Sequence, residues 1–133
     1  MKMSLKTPLL ALLSATLLIG CSSTPSEVEM MADHRASVIE SGLPYKIGPL
    51  NVMSAKSNGN TVDLLMIYNS TGSISPSALV DASIQTYCKS NEVRSVLKKG
   101  VIYHIIIRSE RGKMLVDQNI SEQTCQNVDE STS

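Results

Sequence analysis

The stretch VIYHIIIRS, from Val101 to Ser109, decides the fold because it is the strongest strand signal in the chain. Most of its residues are β-branched, and such side chains pack well on the pleated surface of a sheet. Arg111-Gly112 follows as a tight turn, and the segment MLVDQNI, from Met114 to Ile120, continues as an extended partner. We therefore predict a β-hairpin over this part of the chain.

The two faces of this hairpin differ in character. A two-residue turn pairs Ile107 with Val116 and Tyr103 with Ile120, and alternate residues then point to opposite sides. One face is apolar, whereas the other mixes apolar residues with polar ones such as His104. A sheet with one face in water should alternate more cleanly. Two interpretations stay open. Either helices cover both faces, or one helix crosses the second face; alternatively, the mixed face receives an apolar segment of a partner.

A second hairpin precedes this one. The segments from Leu50 to Lys56 and from Thr61 to Asn69 are strand-like, and Asn58-Gly59 between them is a strong turn signal. The second of these strands carries apolar residues on both faces, as the later hairpin does.

Helical spacing of apolar residues predicts helices over 27–41, 76–89 and 92–98. Ser26 and Glu29 form a capping box at the start of the first helix. Ser75-Pro76 supplies an N-cap and a first helical residue for the second, and Asn91 is the expected N-cap of the third. The helices thus alternate with the two hairpins along the chain.

This order predicts one α+β domain over residues 26–125. The expected architecture is a small antiparallel sheet of four to five strands, built from two hairpins and flanked by helices. Residues 126–133 are polar and have no apolar pattern, so we predict a disordered tail there.

The N-terminus has the features of an export signal. Residues 1–20 combine two lysines with an uncharged apolar run from Pro8 to Ile19, which is typical of a signal peptide. The run ends in Leu18-Ile19-Gly20-Cys21, which resembles a bacterial lipobox. That resemblance implies cleavage before Cys21, a lipid on its thiol, and a lipidated tether over residues 21–25. Ser22, in place of aspartate, implies the outer membrane. The alternative is an ordinary signal peptide with an incidental Cys21.

Two further cysteines remain, Cys88 and Cys125, which lie 37 residues apart. An exported chain enters an oxidising compartment, where a pair of cysteines normally forms a disulfide. The alternative is a metal site or a reactive thiol, but the chain has no Cys-x-x-Cys motif. We therefore predict one structural disulfide.

Composition and motifs argue against several functional classes. The chain has 133 residues, 12 basic and 12 acidic side chains, four tyrosines and neither phenylalanine nor tryptophan. A neutral chain has no strong positive field to bind the phosphates of nucleic acid. With so few aromatic residues it also has no surface on which bases could stack. His34 and His104 have no metal-ligand spacing, and no phosphate-binding motif is present. Ser95 and Lys98 fit a Ser-x-x-Lys pattern by letters, but the companion motifs of that nucleophile are missing, so we interpret the match as chance. We expect no enzyme activity, no cofactor, no metal and no small-molecule substrate.

Several segments resemble one family, the type II secretion pilotins of the AspS (GspS-beta) type. They are ASVIESGLPYKIGPLNVM (Ala36 to Met53), LLMIYN (Leu64 to Asn69), YC (Tyr87-Cys88) and RGKMLVDQ (Arg111 to Gln118), followed by Cys125. The resemblance implies a small outer-membrane lipoprotein, anchored on the periplasmic face through the Cys21 lipid. It also implies that the domain binds the helical C-terminal S-domain of the secretin subunit and targets the secretin to the outer membrane for assembly.

On this basis the mixed sheet face is the expected partner-binding surface, with Leu65, Ile67, Ile102 and Ile106 as candidate residues. The competing interpretation makes these four residues plain core. A second functional hypothesis is a periplasmic lipoprotein inhibitor of a hydrolase, either periplasmic or from a host, which would insert the loop from Asn69 to Ser75 into the active-site cleft of that enzyme. A third is a structural envelope lipoprotein.

Overall fold

The structure of the chain is a computed structural model that describes Gly20, residues 23–71 and residues 73–133. The expected signal peptide and Cys21 therefore lie outside the described residues, apart from Gly20. The elements are α1 (Glu27–Glu40), β1 (Tyr45–Ile47), β2 (Leu50–Asn58), β3 (Thr61–Tyr68), α2 (Pro76–Lys89), α3 (Asn91–Lys98), β4 (Ile102–Ser109), β5 (Met114–Ile120) and α4 (Glu122–Thr132).

The five strands form one sheet in the order β1-β2-β3-β4-β5. The predicted α+β class and both predicted hairpins are confirmed, and β1 adds an edge strand that the sequence did not indicate. The sheet is mixed, however, and not wholly antiparallel, because β3 and β4 run parallel with Thr61 opposite Ile102. The reason is the connection between them. Helices α2 and α3 carry the chain back to the end where β3 began, so β4 starts beside β3.

The register of the later hairpin is as predicted, with Tyr103 opposite Ile120 and Ile107 opposite Val116. Its tip differs, because a register shift follows Ile107 and the strands are joined by the four residues 110–113. Gly112 has a φ of 86° there, a value that glycine adopts without strain.

The turn of the first hairpin lies one residue later than predicted. Asn58 pairs with Thr61, so the two turn residues are Gly59 and Asn60. Gly59 has a φ of 60°, which suits the first position of a two-residue hairpin turn. Similarly, Ser90 and not Asn91 caps α3, since its hydroxyl oxygen accepts a hydrogen bond from the Val93 amide at 3.4 Å.

The helices pack on one face of the sheet. Helix α1 lies against β2 and β3, where Ala32 and Ala36 are buried, and α2 contacts β5, α3 and α4. The buried side chains of β3 and β4 all point to this face; they are Val62, Leu64, Met66, Tyr103, Ile105 and Ile107. The interpretation in which helices cover both faces is therefore wrong for the described part of the chain.

The expected disordered tail at 126–133 is instead the continuation of α4, which extends to Thr132. Tertiary contacts hold this polar helix in place. Cys125 forms a buried disulfide with Cys88 of α2, which confirms the predicted pairing. Val128 packs against the core, and Asp129 forms an ion pair with Arg94 of α3 at 3.0 Å. The sequence pattern missed the helix because these contacts come from residues distant in the chain.

Candidate functional site

The face of the sheet opposite the helices carries an apolar surface, which we call the open face. Its centre consists of Leu65, Ile67, Ile102 and Ile106, the four residues that the sequence singled out. Leu65 and Ile106 are direct neighbours across β3 and β4. All four side chains are half-buried, yet none belongs to the hydrophobic core or packs against it. The structure thus brings the predicted residues together on a surface and separates them from the core.

Two further apolar residues, both exposed, extend the open face. Met53, at a register shift in β2, is 46% exposed, and Leu115 of β5 is 37% exposed. Met53 and Ile67 share a shallow depression with Pro44 and Tyr45 at the edge of the sheet. An apolar surface that continues across four strands exceeds the scattered apolar residues of an ordinary wet face.

A polar bridge crosses the same face. His104 Nδ1 lies 2.8 Å from Asp63 Oδ1 on β3, and His104 Nε2 lies 2.7 Å from Asp117 Oδ1 on β5. Hydrogen bonds to Asp117 and then Asp63 raise the pKa of the His104 imidazole above its ordinary value. The sequence placed His104 on this face but missed the bridge. The Asp63 contact depends on parallel pairing of β3 and β4, which the residue pattern does not reveal.

A second, smaller opening lies on the helical side of the sheet. A cavity of about 40 Å³ separates β1 from α2, and its walls include Ile47, Val80 and Tyr87. Ile47 is 48% exposed at its mouth. Burial raises the pKa of the Tyr87 hydroxyl in this wall. The residue pattern does not indicate this opening, because β1, which forms one side of it, is only three residues long.

The loop between β3 and α2 is internally braced. The Tyr68 hydroxyl donates to the Ile74 carbonyl at 2.9 Å, and Asn69 Oδ1 accepts from the Thr71 amide at 3.1 Å. The inhibitor hypothesis requires this loop to enter the active-site cleft of a hydrolase. It is described here apart from Gly72, and Ile74 is its exposed apolar residue, at 52%.

An ion-pair network supports the helical layer behind the open face. The Arg94 guanidinium donates to both carboxylate oxygens of Glu122 at 2.7 and 2.9 Å and to Asp129 at 3.0 Å. The same guanidinium lowers the pKa of the Glu122 carboxyl. Together with the disulfide, these contacts join α2, α3 and α4 into one unit.

The described residues contain no group of three or more His, Cys, Asp or Glu side chains that could hold a metal ion. Within the same residues, no helix has both the length and the apolar character needed to cross a membrane. What the described surface does offer is the apolar open face with its polar bridge.

Comparison with known proteins assigns the chain to a family. The model of the family described as type II secretion system (T2SS) pilotin, S protein, matches residues 24–125. The pilotin EpsS of the Vibrio vulnificus type 2 secretion system has the same fold, with a TM-score of 0.69 and 39% identity. That match covers 74% of this chain and 92% of EpsS. The protein Pilotin AspS 2 of Escherichia coli O78:H11 is 28% identical over 117 residues, which is 86% of each chain.

A further likeness of fold is to the pilotin–secretin AspS–GspD complex of enterotoxigenic E. coli. The TM-score is 0.54 at 23% identity, over 79% of this chain and all of the matched chain. The fold is therefore that of a small, disulfide-braced α+β pilotin domain. The chain belongs to the type II secretion system pilotin family, S protein.

Proposed function

We propose that this pilotin binds the C-terminal S-domain of a type II secretin and carries the secretin to the outer membrane. The observation that carries the proposal is the family match over residues 24–125, which includes the open face and both disulfide cysteines. The fold relative from enterotoxigenic E. coli was solved as a pilotin–secretin complex, which supports a secretin as the partner class. The mechanism is binding and anchoring, and no catalytic step is part of it.

The proposed binding surface is the open face. Ile102 and Ile106 lie four residues apart on β4, a distance of about 13 Å that matches roughly two and a half turns of a helix. An amphipathic helix of the secretin could cover both of these side chains together with Leu65. Because these side chains are half-buried in the free protein, each contributes only part of the ~1.5–3 kcal/mol that full burial gives. Several such contacts are needed for stable binding.

The proposed anchor is a lipid on Cys21. Each buried methylene contributes ~0.8 kcal/mol, so one acyl chain holds weakly and several hold durably. A bound secretin would then move with the pilotin to whichever membrane holds that lipid. Ser22 after the cysteine favours the outer membrane, with the domain on its periplasmic face.

The experiment that tests the surface is a binding titration of a secretin S-domain peptide with Ile106→Asp. We expect a loss of more than about tenfold in affinity, since one poorly compensated buried charge exceeds 1.4 kcal/mol. Val38→Asp is the matched control, because Val38 is 55% exposed on α1, outside the open face. It should leave the affinity unchanged.

Two further variants test an alternative binding site and the case in which Ile106→Asp does not fold. Ile47→Asp probes the opening between β1 and α2; loss of binding there, with Ile106→Asp unaffected, would move the site to that opening. If Ile106→Asp unfolds, Ile106→Thr retains a β-branched side chain and tests the same contact. Recovery of a hydrolase and not a secretin in a pull-down from periplasm would favour the inhibitor hypothesis instead.

The anchor is tested by locating the secretin in cells that carry Cys21→Ser. We expect the secretin to be lost from the outer-membrane fraction while the unlipidated domain still binds the S-domain. Normal location of the secretin with this variant would overturn the anchoring part of the proposal and leave the binding part standing.

A further inference from the structure

Three segments of the domain meet at the end where the chain enters α1. The Asn60 side-chain amide donates to the Gly100 carbonyl at 2.9 Å, and the Ile102 amide donates to the Asn60 carbonyl at 3.0 Å. A Cβ atom on Gly100 would lie 3.6 Å from Cγ1 of Val28. The first turn of α1, the β2–β3 turn and the α3–β4 turn therefore form one surface, which we call the near end.

The direction of the chain at the near end is fixed. The Ser26 amide donates to Glu29 Oε2 at 2.6 Å, and the Glu29 amide donates to the Ser26 hydroxyl at 3.2 Å. This capping box holds the entry to α1. Residues 23–25 line a surface depression together with Met30 and Gly59, so the segment before α1 lies against the near end.

The length of the tether limits how the domain can stand on a membrane. A lipid on Cys21 would be joined to Ser26 by residues 21–25, which span at most about 18 Å when fully extended. Strand β4, with eight residues, is about 26 Å long. The opposite end, which carries the turn at 110–113, lies farther from Ser26 than the tether reaches. That end cannot be the one that rests on the anchoring membrane.

The near end carries groups that suit lipid headgroups. Lys98 and Lys99 are exposed at the end of α3, and Lys99 forms no ion pair within the described residues. Met30 is 55% exposed beside the tether. The exposed Glu27 opposes binding to an anionic surface, whereas the Glu29 carboxylate is engaged in the cap.

We propose that the near end is a membrane-contacting surface, on which Lys98 and Lys99 meet the phosphates of the leaflet that holds the Cys21 lipid. The proposal rests on the Cys21 anchor of the proposed function. It places the strands upright on the membrane and leaves the open face directed sideways, accessible to a partner. It also gives the short tether a role, since a long linker would leave the orientation undefined.

The test uses the chain from Cys21 to Ser133, because the described core residues, from Ala32 to Cys125, all lie within it. With the other two cysteines in the disulfide, Cys21 is the one free thiol, and a maleimide lipid couples it to nanodiscs that contain phosphatidylglycerol and a gadolinium-chelating lipid. Paramagnetic broadening of backbone amide signals then reports the distance of each residue from the bilayer. We expect broadening at 58–60 and 98–100 to exceed that at 73–75 and 110–113 several-fold.

Charge-reversal variants distinguish contact between the lysines and the lipid phosphates from simple proximity of the near end to the bilayer. Lys99→Glu should reduce the broadening at the near end in anionic nanodiscs, and the matched variant Lys113→Glu at the opposite end should not. Strongest broadening at 110–113, strongest broadening on the open face, or uniform broadening would each overturn the proposal. Because the lipid is attached chemically, these outcomes do not depend on native acylation or on secretin binding.

Discussion

His104 on β4 and Asp63 on β3 are bonded across the only parallel strand pair of the described sheet, with 2.8 Å between Nδ1 and Oδ1. Asp117 completes the bridge from β5 at 2.7 Å. The bridge ties together the three strands that carry most of the open face. It also gives this face an imidazole whose pKa is raised by hydrogen bonds to two carboxylates.

Stability should depend on the protonation of His104. The pKa of this imidazole is raised in the folded state by Asp117 and Asp63, so the protonated form is favoured by folding. The resulting stability is fully present below the unfolded pKa of about 6.5 and is lost as the pH rises through the higher folded pKa. We expect a gain of roughly 0.2–1 kcal/mol on acidification from pH 8 to 6, the range of partly exposed ion pairs. Urea unfolding at several pH values measures it.

The prediction is tested with His104→Gln. The control is His34→Gln, because His34 is an exposed residue of α1. Only the His104 variant should flatten the pH profile between 6 and 8. The carboxyl groups of Glu29 and Glu122, whose pKa values are lowered, act at more acidic pH and leave this window clear. An unchanged profile in His104→Gln would show that the bridge does not contribute.

Reduction of the disulfide should destabilise the domain and release α4. Cys88 and Cys125 close a 37-residue separation, for which the chain-entropy model gives about 4 kcal/mol. Denaturant unfolding with and without reductant measures the loss, and amide exchange in α4 reports its detachment. In the double variant Cys88→Ala, Cys125→Ala, reductant should have no further effect. Equal stability of the oxidised and reduced forms would contradict the role assigned to this bond.

Removal of the Arg94 guanidinium should loosen the same helix by a different route. Arg94→Met keeps much of the aliphatic stem but loses the bonds to Glu122, Asp129 and the Cys88 carbonyl. We expect a lower Tm and faster amide exchange in α4, with the disulfide intact. Asp129→Asn should have a smaller effect, because Asp129 makes one of these bonds and is 60% exposed. A larger effect from Asp129→Asn would contradict this ranking.

The contact between α1 and the sheet should not tolerate larger side chains. Ala36 is 3% exposed and lies over β2, where Ala55 is equally buried. Ala36→Leu should cost about 1–3 kcal/mol through overpacking. Ala82→Leu, on the exposed side of α2, adds the same atoms to a helix and should stay within about 0.5 kcal/mol of the parent. Thermal unfolding of the two variants compares them; similar Tm values would show that α1 can shift away from the sheet.

The elements that the sequence predicted correctly are those with local causes. The capping box of Ser26 and Glu29, the Ser75-Pro76 helix start and the register of Tyr103 with Ile120 each depend on residues a few positions apart or joined by one turn. The alternation of apolar and polar residues on β4 also placed Ile102 and Ile106 on a face distinct from the core. These signals are visible without knowledge of any long-range contact.

Other features depended on contacts between distant segments. The parallel pairing of β3 with β4, and with it the bond from Asp63 to His104, follows from where α2 and α3 return the chain. The helical tail is held by Cys88 and Arg94, which precede it by more than 30 residues.

The sequence by itself determined the secondary structure, the apolar strand faces and the cysteines available for a disulfide, because each follows from side-chain chemistry and short-range spacing. The tertiary structure alone decided that the helices pack on one side and leave Leu65, Ile67, Ile102 and Ile106 uncovered. The apolar pattern of a strand reports that a side chain favours burial, but the packing of the whole chain determines what, if anything, covers it.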